Sequence, residues 1–299
     1  MDQAQNLRNI IKAGSTKEVL SRVITITSGK GGVGKSNLAI NLAISLSRLG
    51  KKVVVLDADF GLANIEVMLG IRPKYNLADL MFRGKSLAEI ITEGPENVGF
   101  ISGGSGIREM TNLTKEQLIN LSVRLAELDR QTDVVIIDTG AGISENVMEF
   151  VMLSAEVLLI ATPEPTSITD AYALLKTLNH QPEFTREHCH IKLIANKVSN
   201  ERDGKELFEK LSVVADKFLN ISLEYMGAVP SDNNMNKAVM KQQPLSVAYP
   251  NSQAARAIDD MARIIAAPEG EAVIKSGRRG LVGLFSETLK RTLKGKERG

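Results

Sequence analysis

The chain has 299 residues, enough to bury a large core in one or two domains, and with 43% hydrophobic and 24% charged residues it has the composition of an ordinary globular protein. A single cysteine excludes a disulfide framework, the scarcity of aromatic residues argues against a nucleic-acid surface built from stacked rings, and no apolar run reaches the roughly 18 residues that a membrane span requires. The net charge of +2 combines a strongly basic segment, residues 275–299, with a mildly acidic remainder.

Residues 1–21 are polar apart from a few apolar positions at helical spacing, which include Leu7 and Ile11. The segment begins with an acidic residue and has no apolar signal core, so it is not a secretory peptide. We expect a weakly anchored N-terminal arm that precedes the folded domain.

A β-branched strand, "RVITITS", is followed by the glycine-rich stretch "SGKGGVGKSN". Gly29, Gly34, Lys35 and Ser36 match the spacing G-x-x-x-x-G-K-[ST] of a phosphate-binding loop between a strand and a helix. In such a loop the backbone N–H groups and the helix N-terminus bind phosphate oxygens. We therefore expect Lys35 to reach the β- and γ-phosphates and the Ser36 hydroxyl to bind Mg²⁺.

The next stretch, "NLAINLAISLSRLG", has leucines at helical spacing. We expect a helix that carries Leu38, Leu42, Leu46 and Leu49 on one face and ends at Gly50 as its cap.

Further apolar strands, such as "KKVVVLDAD", "TDVVIIDTG", "EVLLIATPEP" and "HIKLIANK", alternate with helical stretches. This alternation predicts an α/β fold, a doubly wound, mostly parallel sheet with helices on both faces. The domain is predicted over residues 22–267, between the arm (1–21) and a segment (268–299) made of a linker and a basic amphipathic helix.

Two of these strands end in aspartates, which the fold brings to one edge of the sheet. Asp138 is suited to the Mg²⁺ ion of a phosphoryl-transfer site, and Asp57 could help to hold the same ion. Asp59 lies two residues further on, where it could orient the attacking water.

The loop carries a second lysine, Lys30, near its start. The run K-G-G-V-G-K-S resembles the deviant phosphate loop of the MinD/ParA-type ATPases, and Asp57 with Asp59 and the run from Asp138 to Gly142 match the switch regions of that family. The resemblance implies a homodimer that sandwiches ATP, in which Lys30 reaches the phosphates held by the other subunit and hydrolysis depends on dimerisation. The catalytic residues are then Lys30, Lys35 and Asp59.

The resemblance also implies the set of residues that hold the nucleotide, ATP or ADP with Mg²⁺. Asn196 and the run from Pro230 to Asp232 are expected at the adenine, and Asn37 at the α-phosphate, where many relatives have threonine. Asn196 and Lys197 could suggest the guanine motif N-K-x-D, but its fourth position is Ser199, so ATP is preferred. The expected nucleotide ligands are Gly29, Gly31, Gly32, Val33, Gly34, Lys35, Ser36, Asn37, Asn196, Pro230 and Asp232, and the expected Mg²⁺ ligands are Ser36, Asp57 and Asp138.

The C-terminal stretch "GLVGLFSETLKRTLKG" has apolar residues on one helical face with basic residues beside them. Such a helix suits an anionic membrane surface, and two copies in a dimer would bind more tightly by avidity. The alternative is a helix that packs on its own domain. The predicted membrane residues are Leu281, Leu284, Phe285, Leu289, Lys290, Arg291, Leu293 and Lys294.

The N-terminal run "DQAQNLR" resembles the D-Q-A-x-x-L-R activator arm of the FlhG family, MinD-like regulators of flagellar number and placement. The resemblance implies that the arm binds an FlhF-type GTPase of the signal-recognition class and stimulates its GTP hydrolysis, and that flagellar basal-body components are further partners. The predicted contact residues are Asp2, Gln3, Gln5, Leu7 and Arg8, with Gln3 as the first candidate to orient water and Gln5 as the second.

Other members of the superfamily remain as alternatives. The single Cys189 argues against iron–sulfur carriers, which need paired cysteines. A cell-division regulator like MinD, a DNA-partitioning ATPase like ParA, and an adaptor with negligible turnover stay open, although the acidic body disfavours DNA and no specific nucleic acid is expected. The expected location is the cytoplasm, peripherally on the inner face of the cell membrane.

Overall fold

The structure is a computed structural model that describes residues 21–60, 64–104, 124–181 and 189–267, together with residues 110, 114, 117, 120, 121 and 184. The predicted activator arm and the predicted membrane helix both lie outside the described residues. So do the residues assigned to them, Asp2, Gln3, Gln5, Leu7 and Arg8 in the arm and Leu281, Leu284, Phe285, Leu289, Lys290, Arg291, Leu293 and Lys294 in the tail.

An eight-stranded sheet forms the centre of the domain, in the order β3-β4-β2-β5-β1-β6-β7-β8. Among the strands of the described residues, β3 alone runs antiparallel to its neighbour, so the predicted mostly parallel sheet is confirmed. The strands are β1 (Arg22–Ser28), β2 (Val53–Ala58), β3 (Ile91–Glu93), β4 (Gly99–Ile101), β5 (Val134–Ala141), β6 (Glu156–Ala161), β7 (His190–Val198) and β8 (Leu223–Pro230).

Helices connect the strands and cover both faces of the sheet. They are α1 (Lys35–Arg48), α2 (Asn64–Leu69), α3 (Leu77–Phe82), α4 (Leu87–Ile90), α5 (Glu145–Leu153), α6 (Pro165–Asn179), α7 (Glu201–Leu219), α8 (Asn233–Met240), α9 (Leu245–Ala248) and α10 (Gln253–Ala266), with short 3₁₀ turns at Pro95–Asn97 and Ala126–Arg130.

The two faces of the sheet have separate hydrophobic cores, because successive side chains of a strand point to opposite sides of the sheet. Ile24 and Ile26 of β1 pack with α1 and α10 on one face. On the other face, Val157 and Leu159 of β6 pack with α5, α6 and α7. The sheet is therefore buried on both sides, which explains why its strands are continuous apolar runs.

The helix α1 follows the predicted pattern over most of its length. Leu38, Leu42 and Leu46 are buried, whereas Leu49, predicted on the same helical face, is 44% exposed. The helix ends at Arg48, and the backbone turns away through Gly50, whose φ is +82°. Leu49 therefore belongs to the exit turn, in which the helical periodicity no longer determines which side chains are buried.

None of the helices in the described part of the chain combines the length and the apolar character that crossing a bilayer would demand.

Candidate nucleotide site

The carboxyl ends of β1, β2 and β5 meet at one edge of the sheet, and the predicted phosphate loop lies there between β1 and α1. Parallel sheets bind ligands at this edge, because the strand ends and the helix N-termini converge on it. The helix α1 begins at Lys35, directly after Gly34, and has no side-chain cap. Its first N–H groups are therefore available to an anion.

Glycines shape the loop for two different reasons. Gly34 has φ of +98°, a left-handed conformation that residues with a side chain rarely adopt. Gly29 lies against α6, where an added Cβ would come 2.1 Å from the backbone carbonyl of Asp170. The loop is therefore packed directly on a helix backbone, which leaves it little room to move.

Asp57 and Asp138 stand side by side in the register of β2 and β5, and both are almost completely buried. The Oδ1 atom of Asp57 accepts a hydrogen bond from the backbone N–H of Asp59 at 3.1 Å. Its Oδ2 atom and both carboxylate oxygens of Asp138 lie buried without a hydrogen-bond partner. Three such oxygens in one place are costly unless a ligand satisfies them.

The environment shifts the titration of both acids in the same direction. Burial raises the pKa of Asp138 to about 7, although the nearby Ser36 hydroxyl and the Lys35 ammonium lower it. Burial, followed by the charge of Asp138, raises the pKa of Asp57 well above its usual range. Both carboxylates are therefore poorly stabilised as anions within the protein alone.

Lys35 is the cation of this cluster and is itself buried. Burial lowers its pKa, and the charges of Asp138 and Asp59 oppose that effect. A buried ammonium beside buried carboxylates, at the N-terminus of a helix, is an arrangement that phosphate oxygens and a hard cation would complete.

The donors present fit Mg²⁺, which prefers oxygen ligands. Ser36 and Asp138 lie next to each other, and Asp57 contributes a further buried carboxylate oxygen. Among the described residues there is no group of three or more acidic, histidine or cysteine side chains able to hold a metal by themselves. Mg²⁺ is usually held by one or two carboxylates together with water and phosphate, and Asp57 and Asp138 can supply those carboxylates.

Asp59 follows β2 and faces the end of β5. A Cβ built on Gly140 would lie 3.6 Å from its Oδ1 atom. The structure therefore brings Asp59 into the same cluster as Lys35 and Asp138, and its role in orienting water stays a prediction.

Lys30 has partners within its own chain. Its Nζ atom donates to Oε2 of Glu164 at 2.7 Å and to Oγ1 of Thr166 at 2.8 Å, and its side chain is 36% exposed. Both partners lie at the start of α6. Neither Glu164 nor Thr166 is predicted from the sequence, although their position just after the carboxyl end of β6 could have indicated them.

The residues expected around the adenine occupy the ends of β7 and β8. The Nδ2 atom of Asn196 donates to the carbonyl of Val33 at 2.7 Å, so this side chain touches the phosphate loop. Asp232 caps α8 by accepting from the N–H of Asn234 at 2.8 Å, and also accepts from Ala254 at 3.3 Å. Their contacts with adenine remain predictions.

Asn37 lies in the first turn of α1, half-buried, and Pro230 ends β8. The loop residues Gly31 and Gly32 are exposed at its tip, and Val33 is buried beneath it. Lys197, which the sequence suggests only as part of a guanine motif, donates to the carbonyl of Gly32 at 2.8 Å. The structure thus brings the predicted loop residues together and adds Lys197 to them.

The sequence model of the "CobQ/CobB/MinD/ParA nucleotide binding domain" matches residues 24–245. The chain is 42% identical over 242 residues to the antiactivator FleN of Pseudomonas aeruginosa, covering 81% of this chain and 85% of FleN. It is 32% identical to the flagellum site-determining protein YlxH of Helicobacter pylori, covering 97% and 98% of the two chains. The septum site-determining protein MinD of Pyrococcus horikoshii, solved with Mg-ADP, superposes with a TM-score of 0.69 at 22% identity, covering 85% of this chain and 99% of that one.

Proposed function

Because the chain belongs to the CobQ/CobB/MinD/ParA nucleotide-binding family, we propose that it is an ATPase that switches between monomer and ATP-bound homodimer and regulates the number or placement of flagella. The proposal that the chain binds ATP with Mg²⁺ rests on the pair of buried carboxylates, Asp57 and Asp138, which have unsatisfied oxygens beside Lys35. The likeness to FleN and YlxH supports the flagellar part.

In the proposed site the backbone N–H groups of the loop bind the phosphates, and Lys35 pairs with their β- and γ-oxygens. Ser36, Asp138 and Asp57 would hold Mg²⁺, which when bound neutralises negative charge on the phosphates. The ion would in turn supply the partner that the buried oxygens of Asp57 and Asp138 lack. Nucleotide binding therefore relieves the cost of burying these charges.

Hydrolysis needs a positioned water and a cation for the charge that develops on the phosphates. Asp59 is proposed to orient the water, and Lys30 of one subunit to neutralise that charge in the other. Within one chain Lys30 is bound to Glu164 and Thr166, so it must leave them to act in this way. This requirement would make turnover slow and dependent on dimerisation.

The test is the ATPase rate per subunit of the full chain, measured over a range of protein concentrations. We expect the specific rate of the natural protein to rise with its concentration. In Lys30→Ala the specific rate should fall at least about tenfold, because a cation supplied in trans accelerates hydrolysis by a large factor. Lys176→Ala, which removes an exposed lysine from α6, is the matched control. A specific rate that is independent of concentration and unaffected by Lys30→Ala would refute the dimeric mechanism.

The N-terminal arm is proposed to stimulate an FlhF-type GTPase through Gln3 or Gln5. A peptide of residues 1–20 should raise the GTP turnover of such an enzyme, and the same peptide with Gln3→Ala should raise it less. A peptide with Gln5→Ala tests the second candidate in the same way, and a peptide of scrambled order is the control. Equal turnover with the natural and the scrambled peptide would remove the arm from the proposal and leave the ATPase intact.

The tail is proposed to hold the dimer on the cytoplasmic face of the membrane, where basal-body components are also expected to bind the protein. Vesicles rich in anionic lipid should sediment the full chain with ATP, and vesicles of zwitterionic lipid should not. Deletion of residues 281–299 should abolish sedimentation, whereas sedimentation unchanged by this deletion would exclude the tail as the anchor.

A further inference from the structure

We propose that Asn196 and Lys197 are positioning residues that aim the backbone N–H groups of the phosphate loop at the phosphates of the bound nucleotide. The inference rests on the proposed function in so far as the loop must bind a nucleotide. It assigns the two side chains to the loop and not to the base, which differs from the adenine contact that the family resemblance implies for Asn196.

Two consecutive side chains hold two consecutive carbonyls. The Nδ2 atom of Asn196 donates to the carbonyl of Val33 at 2.7 Å in a buried hydrogen bond. The Nζ atom of Lys197 donates to the carbonyl of Gly32 at 2.8 Å. Both donors come from the end of β7, which is separated from β1 in the sheet by β6.

The backbone at this point is arranged so that both side chains can reach the loop. In a regular strand successive side chains point to opposite faces, but Lys197 has φ of +57°, a left-handed conformation that interrupts the alternation. The pairing of β7 with β8 shifts register between Asn196 and Val198. A non-glycine residue in this conformation carries strain, which compensating contacts such as these must offset.

The orientation of the Asn196 amide is also fixed. Its Oδ1 atom accepts from the backbone N–H of Lys197 at 2.9 Å, so Nδ2 is the atom that faces the loop. A Cβ at Gly34 would lie only 2.5 Å from Nδ2, so the amide packs directly on the loop backbone. The left-handed turn at Gly34 and the Asn196 amide are therefore in direct contact.

Peptide planarity converts these two contacts into an effect on phosphate binding. The carbonyl of one residue and the N–H of the next lie in one plane and point in opposite directions. Holding the carbonyls of Gly32 and Val33 towards β7 therefore turns the N–H groups of Val33 and Gly34 away from it. These are N–H groups that a phosphate loop directs at its anion.

The experiment uses the full chain and compares ADP with AMP in the presence of magnesium. Lys197→Met should weaken the binding of ADP about five- to tenfold, since an exposed hydrogen bond contributes a net factor of about that size. It should weaken the binding of AMP, which lacks the β-phosphate, much less. Lys197→Arg should restore the affinity for ADP, and Lys210→Met, which removes an exposed lysine from α7, should leave it unchanged.

A second measurement reports on the loop directly. In protein labelled with ¹⁵N-valine, ADP should shift the amide resonance of Val33, and Lys197→Met should reduce that shift by half or more. Asn196→Ala should weaken ADP and GDP by the same factor, because the loop contact does not depend on the base. Because Asn196→Ala leaves a cavity in a buried site and could lower stability, its effect on the loop is read from the same Val33 amide resonance.

Unchanged affinity for ADP together with an unchanged Val33 resonance in Lys197→Met would overturn the inference. An equal loss of ADP and AMP binding in Asn196→Ala, with a changed preference between adenine and guanine, would overturn it for Asn196 and favour the base contact. A natural protein that binds no nucleotide would instead overturn the proposed function on which the inference rests.

Discussion

Asp138 shows how one buried side chain links the stability of the protein to the ligand it is proposed to bind. Burial raises its pKa from 3.8 to about 7, so the folded chain holds a proton that the unfolded chain releases between about pH 4 and pH 7. This contribution to stability is fully present below about pH 4 and is lost as the pH rises through 7. At higher pH the folded protein contains a buried negative charge on Asp138 that Lys35 and Ser36 offset only in part.

Asp138→Asn should therefore stabilise the nucleotide-free protein without magnesium at pH 8. The expected gain in the free energy of unfolding is up to about 4 kcal/mol, from roughly 1.4 kcal/mol per unit of a pKa shift from 3.8 to about 7. Denaturant titrations at pH 5 and pH 8 measure it, and the gain should shrink at pH 5, where Asp138 is protonated in the natural protein. Asp216→Asn, on the exposed face of α7, is the control. A gain of equal size at both pH values would mean that the buried charge of Asp138 is not its cause.

At the scale of the elements, the phosphate loop depends on close packing against α6. A methyl group on Gly29 would meet the backbone of Asp170 and Ala171, which cannot move without displacing the helix. Gly29→Ala should lower the free energy of unfolding by about 3 kcal/mol, the upper end of the usual cost of overpacking, because the neighbouring atoms belong to backbone. Gly31→Ala is the matched control, because its nearest neighbour would be 3.9 Å away. Thermal unfolding without nucleotide compares the two variants. Equal melting temperatures would show that α6 can shift to accommodate the added methyl group.

The start of α6 also holds Lys30 in the single chain. The ion pair between Lys30 and Glu164 is exposed, so its loss should change the free energy of unfolding little. The loss should, however, free Lys30 for its proposed contact with the phosphates held by the other subunit. Glu164→Gln is expected to increase the fraction of dimer formed with a non-hydrolysable ATP analogue by up to about fivefold, as measured by analytical ultracentrifugation. Thr166→Val removes the second contact and should act in the same direction. A smaller dimer fraction in Glu164→Gln would instead assign Glu164 a role within the dimer.

Some elements could be predicted from the sequence and others could not, for identifiable physical reasons. The strands β1, β2 and β5 are continuous runs of β-branched residues, and the loop after β1 has a fixed spacing, so both are local signals. The strands β3 and β4, the outer two at one side of the sheet, have three residues each, too few to produce a pattern. The contacts of Lys30 with Glu164 and of Lys197 with Gly32 join residues 134 and 165 positions apart, and only the fold brings them together.

At the scale of the whole molecule, the edge of the sheet that is proposed to bind nucleotide is also the edge through which two chains are proposed to meet. A ligand that binds only the folded state stabilises it by an amount that grows with the ligand concentration, about 2.7 kcal/mol at one hundred times its dissociation constant. A ligand that also joins two subunits adds a dependence on the protein concentration, because association then stabilises the folded chain as well. Monomeric and dimeric nucleotide complexes can therefore be separated by melting temperature alone.

We expect the melting temperature of the full chain with magnesium and a non-hydrolysable ATP analogue to rise with protein concentration, by several degrees over a hundredfold range. With Mg-ADP it should rise above that of the nucleotide-free protein by a constant amount. In Lys30→Ala the analogue should give only the constant increase, because the phosphates still bind Lys35 and the loop but no longer receive a cation from the second chain. Scanning calorimetry measures all three series. A concentration dependence that survives Lys30→Ala would mean that other contacts join the subunits. An equally strong concentration dependence with Mg-ADP would mean that dimerisation does not require the γ-phosphate.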